Sequence, residues 1–326
     1  MWQLIIFGLI GSAFFSTSFV LYELMSVQGG HWFWSASLRC LFMWLLCTVM
    51  IWIQNGFKIS PLTKLIRLFN QHFLFWSLAG SIGLGTYGWL AFGADFAPAW
   101  VITSTFLFTV VASLFVLAFF GQRFRPQAIV YALIIFFGII LANLGEGVSR
   151  TDVDLGRLVL FGALPALMAA FCFPIGNQLL WQTVQPTRPQ ATSLRNQLLK
   201  RLPHIDGELL KNPFHKVWLL SAGSLPAWIV VGLFVRPPTP SISQISMAFL
   251  VALLAGVLGT SVFLYARGQA KSASMVAGVD ATQAAEIIFA LIGGMILLGT
   301  PLPSVMSSIG IVIIITGLGL FANSNK

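Results

Sequence analysis

The chain has 326 residues, of which 57% are hydrophobic and only 8% charged, with a formal net charge of +9. Soluble domains carry roughly a quarter charged residues, so a soluble fold is excluded. The basic excess falls in short loops between apolar runs, not along one face, which argues against nucleic acid as a partner.

Ten apolar runs can be drawn, at about 3–22, 32–53, 73–92, 98–120, 127–145, 158–181, 217–235, 246–266, 274–298 and 304–322. Each is near the roughly 20 residues that a helix needs to cross a bilayer. The expectation is an all-α integral membrane protein of ten transmembrane helices. The first run has no basic start and no small-residue cleavage site after it, so it reads as a retained helix. Glu23 closes this run. Arg39 lies about seven residues inside the second, roughly 10 Å below the outer face. We expect it to reach Glu23 as a structural clasp, with Glu286 as the alternative partner. Cys40, Cys47 and Cys172 all sit in apolar runs and have no metal or disulfide spacing.

Before the third run, Leu62, Leu65 and Phe69 form an amphipathic row. Gly80, Gly83, Gly85 and Gly88 in the third run, and Gly256 and Gly259 in the eighth, read as close helix crossings. The fourth run offers Thr103, Ser104, Thr105 and Thr109. In the sixth, Asn177 follows Pro165 and Pro174, which free backbone carbonyls that only protein or water can satisfy. Trp89, Trp100, Phe106, Phe108 and Tyr265 could cup a lipophilic cation or simply pack. The single long loop, Gln182 to His215, holds Leu194, Leu198, Leu199 and Leu202 beside Arg195, Lys200 and Arg201. It reads as a basic amphipathic helix on anionic lipid or as a linker. The acidic residues Asp95, Glu146, Asp152 and Asp154 are expected in the outer loops. The four histidines, at run ends or in loops, have no ligand partner at metal spacing.

The ninth run carries Asp280, Gln283 and Glu286 on one helical face. Counting about 1.5 Å per residue, Glu286 lies roughly 18 Å in, near the middle of a 30 Å core. A carboxylate at that depth is costly, so it should face protein, water or a ligand. Glu286 is the foremost site candidate. Asp280 is expected near the inner mouth, and Gln283 either binds substrate or bridges helices.

Lysines and arginines sort by side. With the N-terminus inside, fourteen fall in inner loops and three, Arg150, Arg157 and Arg236, in outer ones. This bias places both termini in the cytoplasm and supports an even number of spans. The chain also repeats itself: Phe7-Gly8 matches Phe161-Gly162, and Phe119-Phe120-Gly121 matches Leu297-Leu298-Gly299. Five spans per half is odd, so residues 1–147 and 148–326 (with the cytoplasmic loop 182–216) form two inverted five-helix repeats. Under the 178-residue shift of the second match, Asp280, Gln283 and Glu286 correspond to Ile102, Thr105 and Phe108.

The closings GQRFRPQAIVYALIIFFGIILAN and LGTPLPSVMSSIGIVIIITGLGLFAN resemble the EamA-type repeat of the drug/metabolite transporter superfamily. HWFWSASLR, GALPALMAAFCFPIGNQLLW and DATQAAEIIFALIGG resemble its ten-helix multidrug resistance efflux transporter family. The resemblance implies that helices one, three, four, six, eight and nine line a central cavity. Small relatives carry an essential glutamate within their first helix; Glu23 lies nearer the outer end.

No GxxxxGK[ST] loop is present, which argues against an ATP-driven pump. No catalytic or metal-ligand constellation is evident, so an enzyme, a cofactor and a metal are not expected. The expected activity is proton- or ion-coupled efflux of a small organic substrate, cationic and lipophilic or a metabolite, across the cytoplasmic membrane. Substrate and ion would meet Glu286, Gln283, Asp280, Asn177, Thr105 and Tyr265. An amino-acid or metabolite exporter is the first alternative, and a lipid-linked flippase or a non-transporting scaffold the second.

Overall fold

The computed structural model describes residues 2–120, 126–149, 154–184, 202–205, 207–269 and 273–324. Among them every regular element is a helix. The first two are long and continuous, α1 (Trp2–Val27) and α2 (Trp32–Gln54). The amphipathic α3 (Ser60–Gln71) follows, with Leu65 buried and Leu62 and Phe69 packed against the core. The expected row before the third run is therefore a helix. Its counterpart in the long loop, 194–201, lies outside the described residues.

Then come α4 (Phe73–Gly83), α5 (Thr86–Gly93), α6 (Ala99–Phe106), α7 (Thr109–Phe119) and α8 (Pro126–Ser149). A short α9 (Leu155–Arg157) runs through a π-helical segment, Leu158–Ala163, into α10 (Leu164–Thr183). After α11 (Pro213–Val235), α12 (Ile242–Val251) passes through a second π segment, Ala252–Gly259, into α13 (Thr260–Gly268). The chain ends with α14 (Ala273–Ala281), a 3-10 turn (Thr282–Ala285), α15 (Glu286–Leu298) and α16 (Val305–Ser324).

Eight helical stretches are long and apolar enough to cross a membrane, and Val305–Phe321 is a shorter apolar helix. The third expected run falls short as one helix because it breaks between α4 and α5. There the amides of both Leu84 and Gly85 donate to the Gly80 carbonyl. Elsewhere the ends are set by local chemistry. Arg236 closes α11 in the left-handed region ahead of Pro237 and Pro238. Gly299 closes α15 at φ 66°, and Thr300 donates to the Gly294 carbonyl.

Backbones approach where glycine leaves room. Gly80 and Gly223 bring α4 against α11, where a Cβ at Gly223 would overlap the Trp76 carbonyl oxygen. Gly83 meets Gly176 of α10, Gly256 meets Met43, and Gly259 meets Phe14 and Phe15. Gly138 and Gly310 bring α8 against α16, joined by Ser307 Oγ donating to the Ala142 carbonyl at 3.0 Å. Such small-residue contacts are what allow helices to associate in lipid, where no hydrophobic driving force separates helix from solvent. Gly85 departs from this pattern: a Cβ there would strike the Ser81 carbonyl oxygen of the preceding α4, so this glycine serves the break.

Glu146 corrects the sequence reading. It is not in an outer loop but on α8, 3% exposed. The helix runs four residues beyond the expected end at 145, and Gly145 beside it accepts from Ser304 Oγ.

Candidate functional site

Glu286 opens α15, directly after the 3-10 turn. Two side-chain hydrogen bonds accompany the turn. Thr282 Oγ1 donates back to the Val279 carbonyl at 2.6 Å, and Ser12 Oγ of α1 donates to the Thr282 carbonyl at 2.9 Å. That carbonyl is thereby occupied from outside the helix, and the Glu286 amide bonds three residues back, to Gln283. Gly8 lets α1 come this close, since a Cβ there would sit 2.5 Å from Thr282 Oγ1.

The Glu286 side chain is 5% exposed. Its segment packs between α1 on one side and α6 on the other. Among the described residues its carboxylate makes neither a hydrogen bond nor an ion pair. Burial of a carboxylate without such partners penalises the charged form heavily.

Asp280 and Gln283 are half-buried, whereas Thr282, Glu286 and Ala290 form the buried face. The expected polar stripe thus divides: Glu286 turns inward with Thr282, and the other two lie at its margin.

The remaining candidates separate. Thr105 is buried on α6, and its hydroxyl accepts from Asn143 Nδ2 of α8 at 3.2 Å. This is an interhelical bond rather than an open ligand. Replacing Asn143 by Ala should cost about 1 kcal/mol, and Thr105→Val in that background should cost little more. A double-mutant cycle on thermal unfolding should give a coupling of about 0.6 kcal/mol; strict additivity would remove the pair.

Asn177 is exposed on α10, and the neighbouring Gln178 is the buried amide, with no partner for its Nε2. Tyr265 is 54% exposed and meets Phe7 edge-on at 5.4 Å. The proposed aromatic cup is not assembled. Phe106 packs with Phe19 and Phe173, Phe108 with Phe136 and Phe171, Trp89 is exposed, and Trp100 is buried.

The clasp is also corrected. Arg39 does not meet Glu23. Its Nη1 donates to Tyr22 Oη at 3.1 Å, and its guanidinium lies 3.5 Å from the Tyr87 ring centroid. Glu23 instead accepts from the Ala99 amide at 2.6 Å, at the first residue of α6. Tyr22 and Glu23 are neighbours on α1, about 100° apart in azimuth, so only one of them can face α2. Arg39 makes no contact with Glu286 either.

Residues 2–326 match the family described as "EmrE: Putative multidrug resistance efflux transporter". The chain is 30% identical over 333 residues to "Uncharacterized protein YjlA" of Bacillus subtilis (strain 168), covering 97% of this chain and 93% of that protein. It is 29% identical over 271 residues to an "Uncharacterized 42.1 kDa protein in intracellular alkaline protease 3'region" of Shouchella clausii, of which it covers 63%. A crystal structure matches in fold at a TM-score of 0.54, with 16% identity and 96% of both chains covered.

Proposed function

Because the chain belongs to the multidrug resistance efflux transporter family, a family of multi-pass membrane transporters, we propose that it is a proton- or ion-coupled exporter of small organic molecules working by alternating access. The observation that carries the proposal is Glu286: a carboxylate buried between α1 and α6, on an interrupted helix, without a hydrogen bond or ion pair among the described residues. In a membrane such a group marks a candidate functional site. A proton or a cationic group on the substrate can neutralise it, but not both at once, and that exclusivity couples two fluxes in exchange.

The packing supports ten spans in two inverted repeats, counting α4–α5 as the third and α16 as the tenth. Under exchange of spans one to five with six to ten, the observed neighbours map onto neighbours. The first span packs on the eighth and ninth (α13, α15) as the sixth, α10, packs on the third and fourth. α2 packs on α12 as α11 packs on α4, and α8 pairs with α16. The interruption at 282–285 falls, under the 178-residue shift, at 104–107, where α6 gives way to α7. Repeats related in this way supply two access states from one fold, with the site at midplane.

Both termini are proposed to face the cytoplasm, with the protein in the cytoplasmic membrane. A cysteine at the exposed Arg236 should react with an impermeant thiol reagent from outside, and one at the exposed Lys58 only after permeabilisation. Native Cys40 and Cys47 are buried, so Cys172→Ser provides a quiet background. The reverse labelling pattern would overturn the orientation.

The functional test is reconstitution into proteoliposomes with a substrate panel, with and without an imposed proton gradient. Flux that ignores the gradient for every substrate would remove the coupling proposal.

A further inference from the structure

Arg39 is a second buried charge that the Glu286 site does not use. It is 3% exposed, on a membrane-spanning helix. Its hydrogen bonding among the described residues consists of the Nη1 bond to Tyr22, and no carboxylate pairs with it. Nε is buried and has no acceptor. A guanidinium cannot shed its proton to escape this cost, unlike a lysine.

The geometry says which part of the group is in use. Tyr87 covers the guanidinium face, at 3.5 Å to the ring centroid, and Tyr22 takes Nη1. Among the described residues the Nε/Nη2 edge makes no hydrogen bond. That edge is one of the two along which a guanidinium holds a carboxylate with two parallel N–H···O bonds. The stacking also fixes the plane of the fork before anything binds. Tyr87 rides on α5, an eight-residue helix separated from α4 by the break at Leu84–Gly85, so the cover over Arg39 belongs to a short element of its own. Cys40 Sγ lies 4.0 Å from the Leu84 carbonyl beside that break.

We infer that Arg39, framed by Tyr22 and Tyr87, receives the carboxylate of a small organic acid or zwitterion. The inference rests on the transport reading in one respect: the bound molecule is the cargo. It narrows the substrate class from lipophilic cations to carboxylate-bearing metabolites. A monoanion fits better than a phosphate dianion, because one buried cation surrounded by aromatic rings balances one negative charge and leaves no second one unpaired.

The test uses full-length protein in nanodiscs at neutral pH. The probes are benzoate, its uncharged isostere benzamide, inorganic phosphate and tetraphenylphosphonium, read by tryptophan fluorescence titration and thermal unfolding. Benzoate should bind at least tenfold more tightly than benzamide or phosphate. Arg39→Lys should weaken benzoate at least tenfold, because the charge remains but the fork is lost. Equal binding of benzoate and benzamide, no binding of benzoate, preference for phosphate or tetraphenylphosphonium, or wild-type affinity in Arg39→Lys would each overturn the site. The benzoate–benzamide comparison needs no variant, so a poorly folding Arg39→Lys does not stop the test. Benzoate binding without gradient-driven flux in liposomes would sink the transport reading and leave the anion site standing. Gradient-driven flux of an uncharged or cationic substrate with no benzoate binding would do the reverse.

Discussion

Glu286→Gln should insert and fold like the wild type and yet lose gradient-driven transport almost completely. The amide keeps the size and shape of the side chain and removes a buried charge that has no partner among the described residues. Folding should therefore be unharmed or improved, since no ion pair is broken and the cost of desolvating a carboxylate disappears. Transport is another matter, because an amide neither takes up a proton nor attracts a cation at neutral pH. Glu286→Asp should keep weaker activity with a shifted pH optimum, since the carboxyl survives but recedes by one methylene. The measurement is uphill uptake in proteoliposomes, with proton release followed in weakly buffered detergent solution on adding substrate. Uphill transport by the Gln variant would make Glu286 structural and move the coupling site to Asp280 or Glu23.

The second large effect should come from Gly223→Val. A Cβ at this position would overlap the Trp76 carbonyl oxygen, and the obstruction is backbone, which no rotamer change relieves. Overpacking of this kind costs about 3 kcal/mol or more, and here it would prise α4 from α11. The expected result is a sharp fall in the thermal midpoint and in the monodisperse fraction on size exclusion. Gly319→Ala is the matched control: nothing lies within 4 Å of the position, and alanine is the better helix former by about 1 kcal/mol. If both variants behave alike, close backbone approach at Gly223 does not hold the two helices together.

Eight membrane-length helices were legible because long apolar runs have few other readings, and Gly80, Gly83, Gly256 and Gly259 were legible as crossings because small residues are the main device for close packing in lipid. Azimuth was not. In a membrane helix both the lipid face and the protein face are apolar, so periodicity no longer reports which side is buried. Arg39 was therefore assigned by depth to Glu23 when it meets Tyr22, one residue earlier. Asn177 was chosen where the buried amide is Gln178. The break before Glu286 was hidden for a different reason: it depends on Ser12, whose hydroxyl reaches the Thr282 carbonyl across 270 residues of sequence. Glu286 itself was found because its signal, a lone carboxylate deep in an apolar run, needs no azimuth.

The four-residue 3-10 turn has a mechanical meaning. Each residue in a 3-10 helix advances about 120° and 2.0 Å, against about 100° and 1.5 Å in an α-helix. Rewinding Thr282–Ala285 into α-helix would turn everything beyond it by about 80° and draw it in by about 2 Å. The Ser12 hydroxyl, between the Gly8 and Thr282 carbonyls, ties this turn to α1. While it holds the Thr282 carbonyl, the Glu286 carboxylate is kept at one bearing between α1 and α6. Such a rewinding would sweep the carboxylate through nearly a quarter turn while shifting the helix only about 2 Å along its axis.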